Sequence, residues 1–180
     1  MAILRPFLLF LLLALGALPQ PAVAARGLSE QELRAAALFQ VLNFTRWDGD
    51  RFETPDTPIR VGIFGQDPFG PVLDELVAGE RISGRRIEIT RFFSPEEAAQ
   101  HHVVYVGFHD ERSATRLLHL VRDARVLTVG DSEVFCERGG VIAVTVRNNR
   151  IRIIVNLEVA RRSGVALSSK LLRLAHIVEP

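Results

Sequence analysis

The run His102, Val103, Val104, Tyr105, Val106, Gly107 and Phe108 carries no charged side chain. Successive side chains of a strand point to opposite faces. A strand apolar at both parities must therefore be covered on both sides, which is the habit of a parallel sheet flanked by helices. The neighbouring segments agree. Residues 59–64 and 126–129 are further short apolar runs, and residues 86–92 read as another strand.

Helical patterns alternate with these runs. Ser29 and Glu32 have capping-box spacing. Leu33, Ala36, Ala37, Val41, Phe44 and Trp47 then follow at helical intervals, interrupted only by Gln40, so a helix is expected over 29–46. Residues 48–58 read as a loop. A helix over 71–78 stops at Gly79, and Ser94 and Pro95 start a short one. Ala114, Leu117, Leu118 and Val121 give an amphipathic helix over 111–122. Residues 141–147 and 150–155 are β-branched runs joined by Asn148 and Asn149, which tolerate the positive φ of a type I′ hairpin. Asn156 and Ser168 are expected to cap two last helices. The expected fold is a three-layer α/β sandwich, with a mixed, mostly parallel sheet flanked by helices and a late antiparallel hairpin.

The first residues stand apart. Arg5 precedes an unbroken apolar run over 7–18, and Ala22, Val23 and Ala24 have the small-x-small form of a signal peptidase site. A dozen apolar residues fall short of the ~20 that cross a bilayer. The expectation is a signal peptide over 1–24, cleaved after Ala24, then one domain over 25–180; the alternative is an uncleaved amphiphilic anchor. Cleavage leaves 156 of the 180 residues, with 21 basic and 21 acidic groups. That balance disfavours nucleic acid as a partner. A single cysteine, Cys136, excludes an intrachain disulfide. It is either buried and inert or a thiol free to pair between chains.

Candidate chemistry is sparse. Asp67, Asp110 and Asp131 each follow an expected strand, where open α/β sheets bind ligands. Each also suits the N-cap of the helix it precedes, and capping is the favoured reading. Gly65, Gln66, Asp67, Pro68, Phe69 and Gly70 fall between strand and helix, but without P-loop or dinucleotide spacing they read as a tight turn that leaves Phe69 exposed. His101 and His102 are adjacent, so they point apart and cannot chelate together. No metal site or cofactor is expected. No nucleophile elbow or paired Cys–His is visible, so no enzymatic activity is expected. Arginine supplies 21 of the 22 basic residues, clustered at Arg150, Arg152, Arg161 and Arg162. These form either a solvated face or a docking surface for acidic protein groups.

The chain resembles the YfiR-like family. The likeness is carried by Ala36, Ala37, Leu38 and Phe39 with Asn43, Phe44 and Trp47, by the turn from Gly65 to Gly70, and by the run from Val126 to Asp131. Gly139, Gly140, Val141 and Ile142, then Asn149 to Arg152, and the terminal run from Asn156 to Leu172 complete it. The resemblance implies an exported, homodimeric periplasmic regulator. It would bind the periplasmic domain of an inner-membrane diguanylate cyclase and hold it inactive, lowering cyclic di-GMP and biofilm formation. An outer-membrane-associated lipoprotein would sequester it. The best-known member has disulfide-forming cysteine pairs, which Cys136 alone cannot reproduce. From residue type and motif position, Phe69, Arg161, Arg162 and Lys170 are the expected contact residues. The alternative is a sensor of a nucleotide or aromatic metabolite, bound in the strand-end crevice by Gly65, Asp67, Gly70, Asp110 and Asp131.

Overall fold

The structure is a computed structural model, and residues 27–107 and 111–178 are described. The signal-peptide expectation and Asp110 lie outside those residues. The elements in chain order are α1 (Glu30–Asn43), β1 (Thr45–Arg46), β2 (Ile59–Gly65), α2 (Pro71–Val77), β3 (Arg81–Ile82), β4 (Arg85–Phe92) and β5 (Val103–Gly107). Then come α3 (Glu111–Val121), β6 (Leu127–Gly130), α4 (Glu133–Glu137), β7 (Ile142–Arg147), β8 (Arg150–Asn156), α5 (Leu157–Arg162), β9 (Ala166–Leu167), α6 (Ser169–Leu174) and β10 (His176–Val178). Short 3₁₀ turns occupy Gly49–Arg51 and Pro95–Gln100.

Eight strands form one sheet in the order β10-β8-β7-β6-β5-β2-β4-β3. The pairs β4–β2, β2–β5, β5–β6, β6–β7 and β8–β10 are parallel, whereas β7–β8 and β3–β4 are antiparallel. The fold is thus the expected mixed, mostly parallel α/β arrangement. All of β5 is buried. Ile63 and Tyr105 pack on the α1–α2 side with Leu38 and Val41, while Phe64, Val104 and Val106 pack on the other side with Leu117 and Leu118.

Local signals explain the ends. The Ser29–Glu32 capping box forms, with Ser29 N donating to Glu32 Oε2 at 2.6 Å. α1 stops at Asn43, three residues before the expected end, because Thr45 and Arg46 pair with Leu167 and Ala166. Trp47 therefore lies beyond the end of the helix. Asn148 and Asn149 have φ of 49° and 60°, the left-handed pair that the hairpin needs. Asn156 and Ser168 cap α5 and α6 by accepting from Val159 N and Leu171 N.

Candidate functional site

After β2 the chain passes to β4 on one side, then returns to β5 on the other. The carboxyl ends of β2 and β5 therefore flank a topological switch point, where open α/β sheets hold ligands. An open cleft of about 550 Å³ lies there, lined by Phe64, Gly65, Gln66, Asp67, Arg91, Phe93, Gly107 and Ser113. Two glycines make its floor. Gly65 has φ +80°, and a Cβ on it would come within 2.8 Å of the Gly107 carbonyl oxygen. A Cβ on Gly107 would strike the Gln66 carbonyl oxygen, so only glycine permits this approach of the two strand ends.

Asp67 shapes the wall. Its Oδ1 accepts from Phe69 N at 2.7 Å and Gly70 N at 3.2 Å, closing an Asx turn. The cap of α2 is Gly70, which offers no side chain. The structure thus corrects the capping reading, since Asp67 holds the turn ahead of the helix. Its other oxygen accepts from Arg91 Nε at 2.7 Å, and Arg91 also reaches Asp74 at 2.5 Å. The Arg91 hydrogen bond holds the Asp74 carboxyl below its ordinary value, and the two carboxylates push the Arg91 guanidinium up. These charges satisfy one another and stiffen the rim.

Phe69 is fully buried, with its ring 4.7 Å from Tyr105 and nearly perpendicular to it. The expectation of an exposed Phe69 is therefore corrected: the Asx turn folds its ring into the core under α1. The exposed aromatic of the cleft is Phe93, 79% accessible. Sequence reasoning passed over Phe93 and Arg91. Phe92 and Phe93 are consecutive at a strand end, which forces one of two aromatic rings outward.

Asp131 and Asp67 reach the same end of the sheet, and both act electrostatically on Tyr105. Burial pushes the Tyr105 phenol up. Its hydroxyl and the Nη1 of neighbouring Arg34 are buried without a hydrogen-bond partner among the described residues. Gly70 opens the left-handed approach to α2, at φ 56°. Arg161, Arg162 and Lys170 are far along the chain, on α5 and α6, and all are exposed. Arg162 is paired with Glu158.

His101, His102 and Cys136 are packed in the interior. His101 stacks on Phe92 at 4.8 Å, and His102 stacks on Phe52 at 4.6 Å, so the adjacent imidazoles do point apart. Cys136 is wholly buried, and burial pushes its thiol up to about 12. It is the inert thiol of the two readings. Among the described residues, no three or more His, Cys, Asp or Glu side chains converge as metal ligands, and no helix is long and apolar enough to cross a membrane.

The fold and the cleft define a doubly wound α/β domain with a crevice at its switch point. The chain belongs to the YfiR/HmsC-like family, whose pattern it matches over residues 31–176. That family is regulatory and non-catalytic, periplasmic, and works in cyclic di-GMP signalling. A conserved domain protein of Vibrio cholerae has a similar fold, with a TM-score of 0.53 at 12% identity over 86% of this chain and 61% of that one. An ABC domain from Streptococcus pneumoniae, solved with L-Trp, aligns at a TM-score of 0.48 and 11% identity over 66% of this chain. This chain spans 55% of that ABC domain's length.

Proposed function

We propose that the protein represses an inner-membrane diguanylate cyclase by binding its periplasmic domain. The observation that carries this reading is the family match over residues 31–176. Repression then works by linkage: a protein that binds one cyclase conformation more tightly draws the population toward it. The active form of the repressor is an exported homodimer, cleaved after Ala24. An outer-membrane-associated lipoprotein relieves repression by competing for it. The cyclase contact uses the exposed cations Arg161, Arg162 and Lys170, whose guanidinium and ammonium groups suit carboxylates on the partner.

Deleting the gene should raise cyclic di-GMP, and restoring it should lower the level again. An unchanged level in a cell that carries the cyclase beside this gene would sink the reading. The double variant Arg161→Ala with Arg162→Ala should weaken capture of the cyclase's periplasmic domain while circular dichroism stays unchanged. Undiminished capture would move the contact elsewhere.

The glycine-floored cleft favours a second reading, in which a small ligand tunes the repressor. Its volume of about 550 Å³ falls in the range of ordinary ligand pockets. Phe93 offers a ring face to a nucleobase or an aromatic metabolite. A thermal shift with such a ligand that disappears in Phe93→Ala supports this; a shift that survives in that variant argues for another site.

A further inference from the structure

The formal net charge is only +1, but the charges are unevenly placed. Between positions 141 and 178 the sequence has seven basic residues and one acidic residue, Glu158. Between positions 27 and 140 it has thirteen basic and nineteen acidic residues. The basic stretch builds β7, β8, α5, α6 and β10, and the sheet order puts β7, β8 and β10 together at one edge. Ion pairing does not cancel it. Glu133 takes Arg152 and Glu158 takes Arg162, which leaves Arg147, Arg150 and Arg173 exposed with no acidic partner among the described residues.

The hairpin tip is unusual. Arg147 and Arg150 are directly opposite one another in the antiparallel ladder. Like charges in that position are destabilising, and neither has a carboxylate to relieve it. Exposed apolar side chains flank these cations at the edge: Ile151 follows Arg150 and points to the other face of the edge strand, and Leu174 follows Arg173. Ile151 is 40% accessible and Leu174 is 72% accessible. Leu174 lies two residues before His176, which sits opposite Ile154 of β8, so α6 ends beside this edge. A Cβ on Gly27 would be 4.0 Å from Asn149 Nδ2, which brings the exposed Leu28 to the hairpin tip. β7 pairs with the inner side of β8 along its length, but β10 joins the outer side only from Ile154 onward, so among the described residues no strand pairs with the outer side of Arg150 to Ile153.

We propose that this edge docks on an anionic phospholipid surface, with Arg147, Arg150 and Arg173 among the headgroups and Leu28, Ile151 and Leu174 at the acyl boundary. Large apolar side chains set among unpaired cations are the pattern of an interfacial membrane contact. A field of headgroups also accepts the opposed Arg147 and Arg150 without needing a carboxylate matched to each. The acidic remainder of the chain is repelled by the same surface, so docking is edge-on and oriented. This proposal does not rest on the cyclase reading, because it concerns the protein and lipid alone.

The test is co-sedimentation with vesicles of phosphatidylglycerol and phosphatidylethanolamine, against phosphatidylcholine vesicles. Binding is expected only to the anionic vesicles and is expected to fall as salt rises. Arg147→Ala, Arg150→Ala and Arg173→Ala together should lower partitioning on the order of 100-fold, at about 1 kcal/mol per cation near the surface. Leu174→Ser should lower it several-fold while keeping the salt dependence. Arg81→Glu with Arg86→Glu, at the opposite edge of the sheet, should change it little. Equal binding to neutral vesicles, no binding to anionic vesicles at low salt, or equal losses at the two edges would each overturn the proposal. Loss of cyclase capture in the triple variant without any vesicle binding by the parent protein would assign the edge to an acidic protein surface instead.

Discussion

His102 ties three strands with one residue. Its Nδ1 accepts from Arg60 N at 3.0 Å, its own N–H donates to Arg60 O at 2.9 Å, and its carbonyl accepts from Leu127 N at 2.9 Å. The first bond requires a neutral imidazole with Nδ1 unprotonated. Burial, then the nearby Arg51 guanidinium, push the ring down from 6.5 to about 4. The unfolded chain therefore takes up this proton before the folded one. The stabilisation is complete above about pH 6.5, falls as the pH drops towards 4, and is gone below that, a loss on the order of 3 kcal/mol. Urea unfolding followed between those pH values should show this slope. His102→Leu should flatten it and cost about 1–3 kcal/mol at neutral pH, because the Arg60 amide loses its acceptor. A variant with the parent's slope would exclude His102 as the titrating group. That the two histidines diverge was legible from their adjacency. That His102 replaces a backbone acceptor was not, because Arg60 lies 42 residues away.

At the scale of elements, the capping signals and the Asn148–Asn149 joint were legible because each is written in consecutive residues. The two-residue pairing of β1 with β9 was not, since neither strand has a pattern of its own. α4 was implied only by the reading of Asp131 as a helix cap, and its extent was not legible because Glu133–Glu137 is too short to show a helical period; its cap is Ser132, not Asp131. What fixes α4 is one ring. Cβ atoms on Gly130 or Gly140 would both strike Phe135, so these glycines form a slot for its fully buried side chain. Gly140→Ala should cost about 1–3 kcal/mol by overpacking. Phe135→Ala should cost about 3–5 kcal/mol. Combined, the two should cost less than their sum, because the second change removes the clash caused by the first. Additive losses in denaturant unfolding would show that the slot is not the cause. At the hairpin, Asn149→Gly should stabilise by a few tenths of a kcal/mol or more, as its φ of 60° is free of strain for glycine. A lower urea midpoint would contradict that.

At the scale of the whole molecule, the apolar β5 run carried most of the information. Residues buried at both parities require two covering layers, and the alternation of helices and strands supplies them. The site was legible only as a place. Asp67 and Asp131 mark strand ends, but the cleft's rim is Arg91 and Phe93, and its floor needs Gly107 against Gln66. Those meetings depend on the crossover between β2 and β5, which no local pattern encodes. The same architecture accounts for stability without a disulfide. Cys136 is packed with Ala143 and Ile154, between α4 and the β7–β8 hairpin. Its thiol, pushed up to about 12 by burial, is unreactive while that packing holds. With one cysteine in the chain, reductant has no intrachain bridge to break. The urea midpoint of the monomeric unit should therefore be the same with and without reductant. Labelling of Cys136 by a thiol reagent should proceed at the rate set by global unfolding, and rise in parallel with it as urea is added. Fast labelling in the absence of urea would mean that α4 opens locally. A midpoint that fell with reductant would mean that Cys136 pairs between chains.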